Sequence, residues 1–177
     1  MSAKTTTRYD QTMLRVMNRE EARNWHASRG QRRAWTAAHV ALTAATPLAF
    51  PLAGDNGGLL IGLVIPLVLL WCVCTGVLNS TTRGLLELRA RALDERQLTE
   101  RGEAFTVAHR VQLSLTLAAI GGLGLAHLLS DGGVPAEAAV LALFGLGLTQ
   151  WLLPLWTAAL RAEDEPADDE VEAAPSA

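Results

Sequence analysis

The stretch from Leu59 to Leu70 reads LLIGLVIPLVLL, and ten of its twelve residues are large and aliphatic. It lies within residues 56–82, which contain no Asp, Glu, Lys or Arg. At roughly −0.5 kcal/mol each, ten such residues contribute about −5 kcal/mol to insertion into a membrane. About 20 residues of helix cross a hydrocarbon core that is about 30 Å thick. The stretch therefore predicts a membrane-spanning helix.

Three further blocks, residues 34–54, 111–130 and 138–160, also lack charged residues. Backbone polar groups in lipid must be paired within the segment, so each block is interpreted as a helix. The prediction is an all-α, integral membrane four-helix bundle with spans at residues 34–53, 58–78, 107–129 and 138–160. A soluble domain carries charge on the outer face of nearly every helix. The pattern therefore excludes a cytosolic enzyme, an all-β protein, a disulfide scaffold and a disordered chain.

The first span is the least apolar, because it contains His39, Thr43 and two prolines. We expect it to insert as a hairpin with the second span, since residues 54–58 (GDNGG) are typical of a tight reversal. Two alternatives are a cleaved signal sequence and the burial of some spans inside a soluble core. The charged leader of residues 1–33 is long for a signal sequence.

The positive charges predict the orientation of the spans. Of 15 Lys and Arg residues, eight lie in residues 1–33 and five in residues 79–105, whereas the turns at 54–57 and 130–137 have none. The positive-inside rule then places both termini in the cytoplasm. Arg far outnumbers Lys and Ala is abundant, which suggests a GC-rich bacterial genome and hence the bacterial inner (plasma) membrane.

Two terminal segments are predicted to lie outside the membrane. Residues 6–28, within the region 1–33, have the pattern of an amphipathic helix that lies either on anionic lipid headgroups or on protein. Residues 161–177 form an acidic tail with seven Asp and Glu among residues 163–172. With almost nothing to bury, this tail is predicted to be disordered.

The linker at residues 79–106 is predicted to form a helical hairpin that projects into the cytoplasm. Its residues are strong helix formers, so we expect the second helix to continue to about Leu93. Asp94 followed by Gln97 resembles a capping box, which would begin the next helix near Glu95. Arg96 and Glu100 are one helical turn apart and can form an ion pair. Charged residues of this region are the candidate partner-binding residues: Arg89, Asp94, Glu95, Arg96, Arg101 and Arg110.

Small residues recur at every fourth position in two spans. In the first span they are Ala37, Ala41, Ala45 and Ala49, and in the third Ser114, Ala118, Gly122 and Ala126. Small residues allow helices in lipid to approach closely. Both ridges are predicted to lie at helix–helix contacts, either within the monomer or across a dimer.

Few residues are candidates for chemistry. His39 and Gln150 are the notable polar residues within spans, and such residues are functional candidates. The chain contains no H-E-x-x-H, G-x-S-x-G, C-x-x-C or phosphate-loop motif. Cys72 and Cys74 are predicted to point to opposite sides of a helix. We therefore predict no catalytic residue, no metal site and no cofactor.

The stretch Leu93-Asp94-Glu95-Arg96, continued by Arg101-Gly102-Glu103-Ala104 and Ala108-His109-Arg110, resembles a linker in small bacterial multi-span membrane proteins of unknown function. This resemblance covers about twenty residues and implies no reaction. The four-span size is similar to that of small multidrug exporters, which depend on an acidic residue in their first span. This chain has His39 there and no acid.

The leading hypothesis is a non-enzymatic membrane protein, an accessory, regulatory or scaffold subunit whose cytosolic helices bind a partner. Its expected partners are the bilayer with its anionic headgroups and either another protein or a second copy, but not nucleic acid. The alternative is a small transporter or channel subunit. Its polar path would be lined by His39, Thr43, Thr46, Thr149 or Gln150.

Overall fold

Four long helices make up nearly all of the structure, a computed structural model that describes residues 25–130 and 133–162 together with Arg8 and Thr12. These helices are α1 (Arg29–Ala53), α2 (Gly57–Thr81), α3 (Glu95–Leu129) and α4 (Ala136–Arg161). Within the described residues there is no strand. All four helices are long and apolar enough to cross a membrane. The prediction of an all-α protein with four such helices is confirmed, and each predicted span lies within one of them.

Side-chain caps mark where three of the helices begin. Ser28 and Gln31 form a capping box at α1, and Asp94 and Gln97 form the predicted one at α3. Asn56 accepts a hydrogen bond from the backbone N–H of Leu59 at the start of α2, with a distance of 3.0 Å. Such caps pair backbone N–H groups that have no partner within the helix. Because of its cap, α1 begins at Arg29, ahead of the predicted span.

The reversal between α1 and α2 occurs where the sequence predicts it. Gly54 has a φ of +53°, a left-handed conformation that glycine adopts without steric cost. Only residues 54–56 form the turn, because Asn56 caps α2 and the two glycines that follow are helical.

The linker differs from its prediction in one respect. Helix α2 ends at Thr81 and does not continue to Leu93, so the predicted helical extension is wrong. Arg83 and Gly84 both have a positive φ, of 50° and 76°, which interrupts a right-handed helix. The hydroxyl of Thr82 also donates to the carbonyl of Asn79, a local bond that competes with helix continuation. Residues 82–94 are therefore turns and a short 3-10 helix rather than the first arm of a helical hairpin.

Helix α4 holds the bundle together. It packs against α1, α2 and α3, while α1 and α2 also pack against each other. The helices begin or end together at Arg29, Thr81, Glu95 and Arg161, and we call this the arginine end. The buried apolar cluster lies toward this end and contains Leu78, Ala108, Leu152, Leu153, Leu155, Trp156 and Ala159. No residue is buried in the parts of α2, α3 and α4 farther from this end, which are residues 57–73, 113–129 and 136–151.

The two small-residue ridges have different environments. On α1, Ala49 is buried and Ala45 is half-buried, whereas Ala37 and Ala41 are exposed. On α3, all four ridge residues, from Ser114 to Ala126, are exposed in the described part of the chain. Contact of this ridge across a dimer remains a prediction.

Two predicted segments lie largely outside the described residues. The amphipathic helix at residues 6–28 is described only at Arg8, Thr12 and residues 25–28, and the last of these form a turn before α1. The acidic tail is described only as far as Ala162.

Candidate functional site

A polar cavity of about 570 Å³ lies at the arginine end, between residues of all four helices and of the linker. It is partly open and is lined by side chains of both charges. The Arg, Asp and Glu residues that line it are Arg32, Arg83, Asp94, Arg96, Glu100, Glu103 and Arg161, and His26 lines it as well. Four cations and three carboxylates therefore surround one space, and they come from three separate parts of the sequence: Arg32, the stretch from Arg83 to Glu103, and Arg161.

Two ion pairs lie at the edge of this cavity. Nε of Arg96 is 2.8 Å from Oε1 of Glu100, which confirms the predicted pair on one face of α3. An Nη of Arg161 on α4 is 2.8 Å from Oε2 of Glu103 on α3. The side chains are about half exposed or more, and exposed pairs contribute only about 0–1 kcal/mol. Their charges can therefore re-pair with an incoming group at little cost.

Arg32 joins two parts of the arginine end. Its side chain is only 2% exposed. One guanidinium nitrogen donates to the carbonyls of His26 and Ala27, both at 3.2 Å, and the other donates to the carbonyl of Ala162 at 2.7 Å. The guanidinium thus fixes the turn before α1 against the end of α4. Its contacts give one side of the cavity a defined shape.

The structure separates the six predicted partner-binding residues. Asp94 and Arg96 line the cavity, and Asp94 also caps α3. Three others are exposed and lie outside the cavity lining: Arg89, Glu95 and Arg110. The six predicted residues therefore do not form one surface, and two of them, Asp94 and Arg96, line the cavity.

Arg101, the sixth, supports the linker. It donates to the carbonyl of Leu88 at 2.9 Å, and its guanidinium lies 5.8 Å from the ring centroid of Phe105. The neighbouring Glu87 is half-buried, and its Oε2 is buried without a hydrogen-bond partner among the described residues. Burial raises the pKa of the Glu87 carboxyl, although its backbone hydrogen bonds and the Arg101 charge act in the opposite direction.

His39 is completely buried within the helices and is hydrogen-bonded at both ring nitrogens. Trp156 donates its indole N–H to Nδ1 at 2.8 Å, so Nδ1 carries no proton. Nε2 then carries the proton and donates to Oγ1 of Thr75, also at 2.8 Å, whose own hydroxyl donates to the carbonyl of Trp71. The indole of Trp71 donates to Thr43, and Thr43 donates to the carbonyl of His39. These groups form a closed hydrogen-bond network.

The remaining residues of the predicted polar path lie elsewhere. The hydroxyl of Thr46 donates to the carbonyl of Leu42 on its own helix at 2.8 Å. That of Thr149 donates to the Gln112 side chain on α3 at 3.1 Å. Gln150, the next residue of α4, is exposed. The structure brings His39 and Thr43 together but does not extend that pair into a continuous polar lining.

Sequence reasoning did not single out Arg32, Glu103 or Arg161 as site residues. A usable signal was present, because each lies at the end of a predicted span on the side that carries the positive charges. Four helices of alternating direction bring those ends together. What the sequence could not provide is which side chains point inward.

Neither cysteine belongs to a metal cluster in the described residues, where no three His, Cys, Asp or Glu side chains are grouped closely enough to hold an ion. Cys72 is exposed and Cys74 is buried, as expected for residues on opposite sides of a helix, and both are free thiols.

No model of a known protein family matches this chain, and no curated protein or solved structure matches it either. The resemblance of the linker to small bacterial membrane proteins therefore remains a prediction.

Proposed function

We propose that this protein is a non-enzymatic, multi-pass membrane protein that binds a protein partner at its arginine end, as an accessory, regulatory or scaffold subunit. The observation that carries this proposal is the polar cavity between the four helix ends. A partner segment of mixed charge fits it, because the lining offers cations from Arg96 and Arg161 and carboxylates from Glu100 and Glu103.

Both charge signs in the lining favour a polypeptide over a simple anion. An anion at Arg96 or Arg161 meets the carboxylate that is already 2.8 Å away. A segment with both charges can pair with the cation and the carboxylate at the same time. Complementary charges of this kind fix orientation and exclude wrong partners.

We further propose that the arginine end faces the cytoplasm of a bacterial cell, with both termini on that side of the inner membrane. The distribution of Arg and Lys supports this orientation through the positive-inside rule. Arg33, near the start of α1 at this end, is exposed and suited to contact anionic headgroups. The docking cavity is then open to soluble and membrane partners on the cytoplasmic side.

The polar groups within the spans support this binding role over transport. His39 and Thr43 have their hydrogen-bonding groups paired with neighbouring protein groups. A transport site needs polar groups that can exchange a protein partner for a substrate. Among the described residues, the exposed ion pairs of the arginine end, Arg96–Glu100 and Arg161–Glu103, can exchange a protein partner for an incoming group.

The experiment is quantitative affinity purification of the tagged full-length chain from native membranes, with identification of co-purifying proteins. We expect Arg96→Glu and Arg161→Glu each to reduce one specific protein at least tenfold. Arg89→Glu is the matched control, because Arg89 is exposed in the same linker but lies outside the cavity. The control should retain that protein at the wild-type level.

Two results count against the proposal. One is that both cavity variants retain every co-purifying protein. The other is that Arg89→Glu removes the same protein as they do, which assigns binding to the linker surface. Cysteine-accessibility labelling at Asn56 tests the orientation separately, and labelling from the cytoplasm contradicts it.

A further inference from the structure

Gln150 presents an unpaired amide on the outer face of α4. It is the fifteenth of the 26 residues of this helix, close to the middle of a segment long and apolar enough to cross a membrane. Its side chain is exposed and has no hydrogen-bond partner among the described residues. Hydrocarbon supplies no hydrogen bonds, so an amide at this position is costly unless another polypeptide pairs with it.

A second polar group lies at the same place. Pro154 is inside α4, four residues after Gln150, and has no N–H to donate to the Gln150 carbonyl. That carbonyl therefore lacks its usual helical donor. One point on the helix surface thus offers a side-chain donor, a side-chain acceptor and a backbone acceptor.

The surrounding face of α4 has room for another helix. Gly147 lies one turn before Gln150 on the same face, and a Cβ added there would meet no atom within 4 Å. Packing within the chain therefore does not explain this glycine. Leu143 lies a further turn away and is 67% exposed. A glycine beside an unpaired amide allows a second backbone to come within hydrogen-bonding distance of that amide.

We propose that α4 is the interface of a parallel homodimer in which Gln150 of one protomer hydrogen-bonds Gln150 of its partner. Two copies inserted in the same orientation place the same residue at the same depth, on either side of a two-fold axis along the membrane normal. An amide both donates and accepts, so it is complementary to itself under that symmetry. A lipid tail neither donates nor accepts a hydrogen bond, and an unrelated protein partner would need a polar group at the same depth as Gln150.

The exposed ridge of small residues on α3 is a weaker candidate for the dimer interface. Ser114 already donates to the carbonyl of Arg110 at 3.1 Å, and Ala118 has no polar side chain. These residues are compatible with lipid as they stand. The structure therefore favours α4 over the ridge of small residues on α3 as the dimer face.

The test measures dimerisation of the full-length chain in liposomes by fluorescence energy transfer between labelled copies, at decreasing protein-to-lipid ratios. Wild type should form dimers, and Gln150→Leu should weaken them about tenfold, as expected for loss of two hydrogen bonds between helices. Gly147→Leu should weaken them as well, because it separates the backbones. Ala118→Leu is the matched control on α3 and should leave the affinity unchanged.

Thermal unfolding of each variant shows whether the monomer fold is retained, which we expect because Gln150 is exposed and a Cβ at Gly147 meets no described atom within 4 Å. Oxidative cross-linking in a Cys72→Ala, Cys74→Ala background should join two copies through Leu143→Cys and not through Ala118→Cys. A monomeric wild type, an affinity that Gln150→Leu leaves unchanged, or cross-linking only through Ala118→Cys overturns the proposal.

Discussion

Trp156 donates a hydrogen bond of 2.8 Å to Nδ1 of His39, a residue 117 positions away in the sequence. The bond links the first and last helices and requires the neutral form of the histidine, since both Nδ1 and an indole N–H would otherwise be donors. The Trp71 ring lies 4.9 Å from the histidine ring and covers it. This arrangement makes His39 a packing and hydrogen-bonding centre for α1, α2 and α4.

The first prediction concerns this bond. Trp156→Phe removes the indole N–H that donates to Nδ1, which no other described residue replaces, and leaves a buried acceptor unpaired, so we expect a loss of about 2 kcal/mol in the free energy of unfolding. Equilibrium unfolding in detergent micelles measures it. Trp151→Phe is the control, because Trp151 is 68% exposed and stacks on Trp71, and it should cost less than about 1 kcal/mol. Equal losses for the two variants would show that the hydrogen bond contributes little.

The second prediction concerns Arg32. Arg32→Lys cannot reproduce a planar fork that reaches the carbonyls of His26, Ala27 and Ala162 together, and we expect a loss of about 2 kcal/mol. Hydrogen exchange should rise around residues 26–28 and near Ala162. Arg33→Lys changes an exposed neighbour and should stay within about 0.5 kcal/mol of wild type. Unchanged exchange in Arg32→Lys contradicts the proposed role of the guanidinium.

The third prediction concerns the start of α3. Asp94→Ala removes the side-chain acceptor that lies 2.7 Å from the backbone N of Gln97, and should cost about 1 kcal/mol. Asp94→Asn retains an acceptor and should recover most of that stability. Hydrogen exchange of the Gln97 and Leu98 amides measures how far the start of α3 unfolds in each variant. If both variants are equally destabilised, the charge of Asp94 rather than its capping bond is responsible.

The fourth prediction is a pH dependence at Glu87. Burial raises the pKa of this carboxyl in the folded state, so the folded protein holds the proton more tightly than the unfolded chain does. The resulting stabilisation is present below the ordinary value of 4.5 and is lost as the pH rises through the raised value. Glu87→Gln, which stays neutral, should therefore be more stable than wild type at neutral pH and similar to it in acid.

Thermal unfolding midpoints across this pH range test the fourth prediction. Glu95→Gln is the control, because Glu95 is exposed in the first turn of α3 and its charge favours the helix dipole. This substitution should slightly lower the unfolding midpoint at neutral pH, whereas Glu87→Gln should raise it. A Glu87→Gln variant that is less stable than wild type at neutral pH indicates that the Arg101 charge outweighs burial.

The parts of the fold that could be predicted are those governed by local sequence. The capping residues Asp94 and Gln97 act over one turn, and the Arg96–Glu100 pair depends only on helical spacing. The end of α2 was missed because composition favoured helix through Leu93, whereas the chain leaves the helix at Arg83 and Gly84. Leu88 and Leu93, at 2% and 1% exposure, are buried by this turn. Burial of those leucines outweighs the propensity to continue the helix.

By itself, the sequence determined that four uncharged stretches become helices and that Lys and Arg are absent from the two short turns between them, since hydropathy and charge act on each segment independently of its neighbours. Only the tertiary structure decided which side chains of those segments contact one another and which are exposed. It placed His39 against Trp156, brought Arg96 and Arg161 to one open cavity, and left the Gln150 side chain exposed. These outcomes depend on how each helix is rotated about its axis. That rotation is set by side-chain packing between distant segments, which no local pattern records.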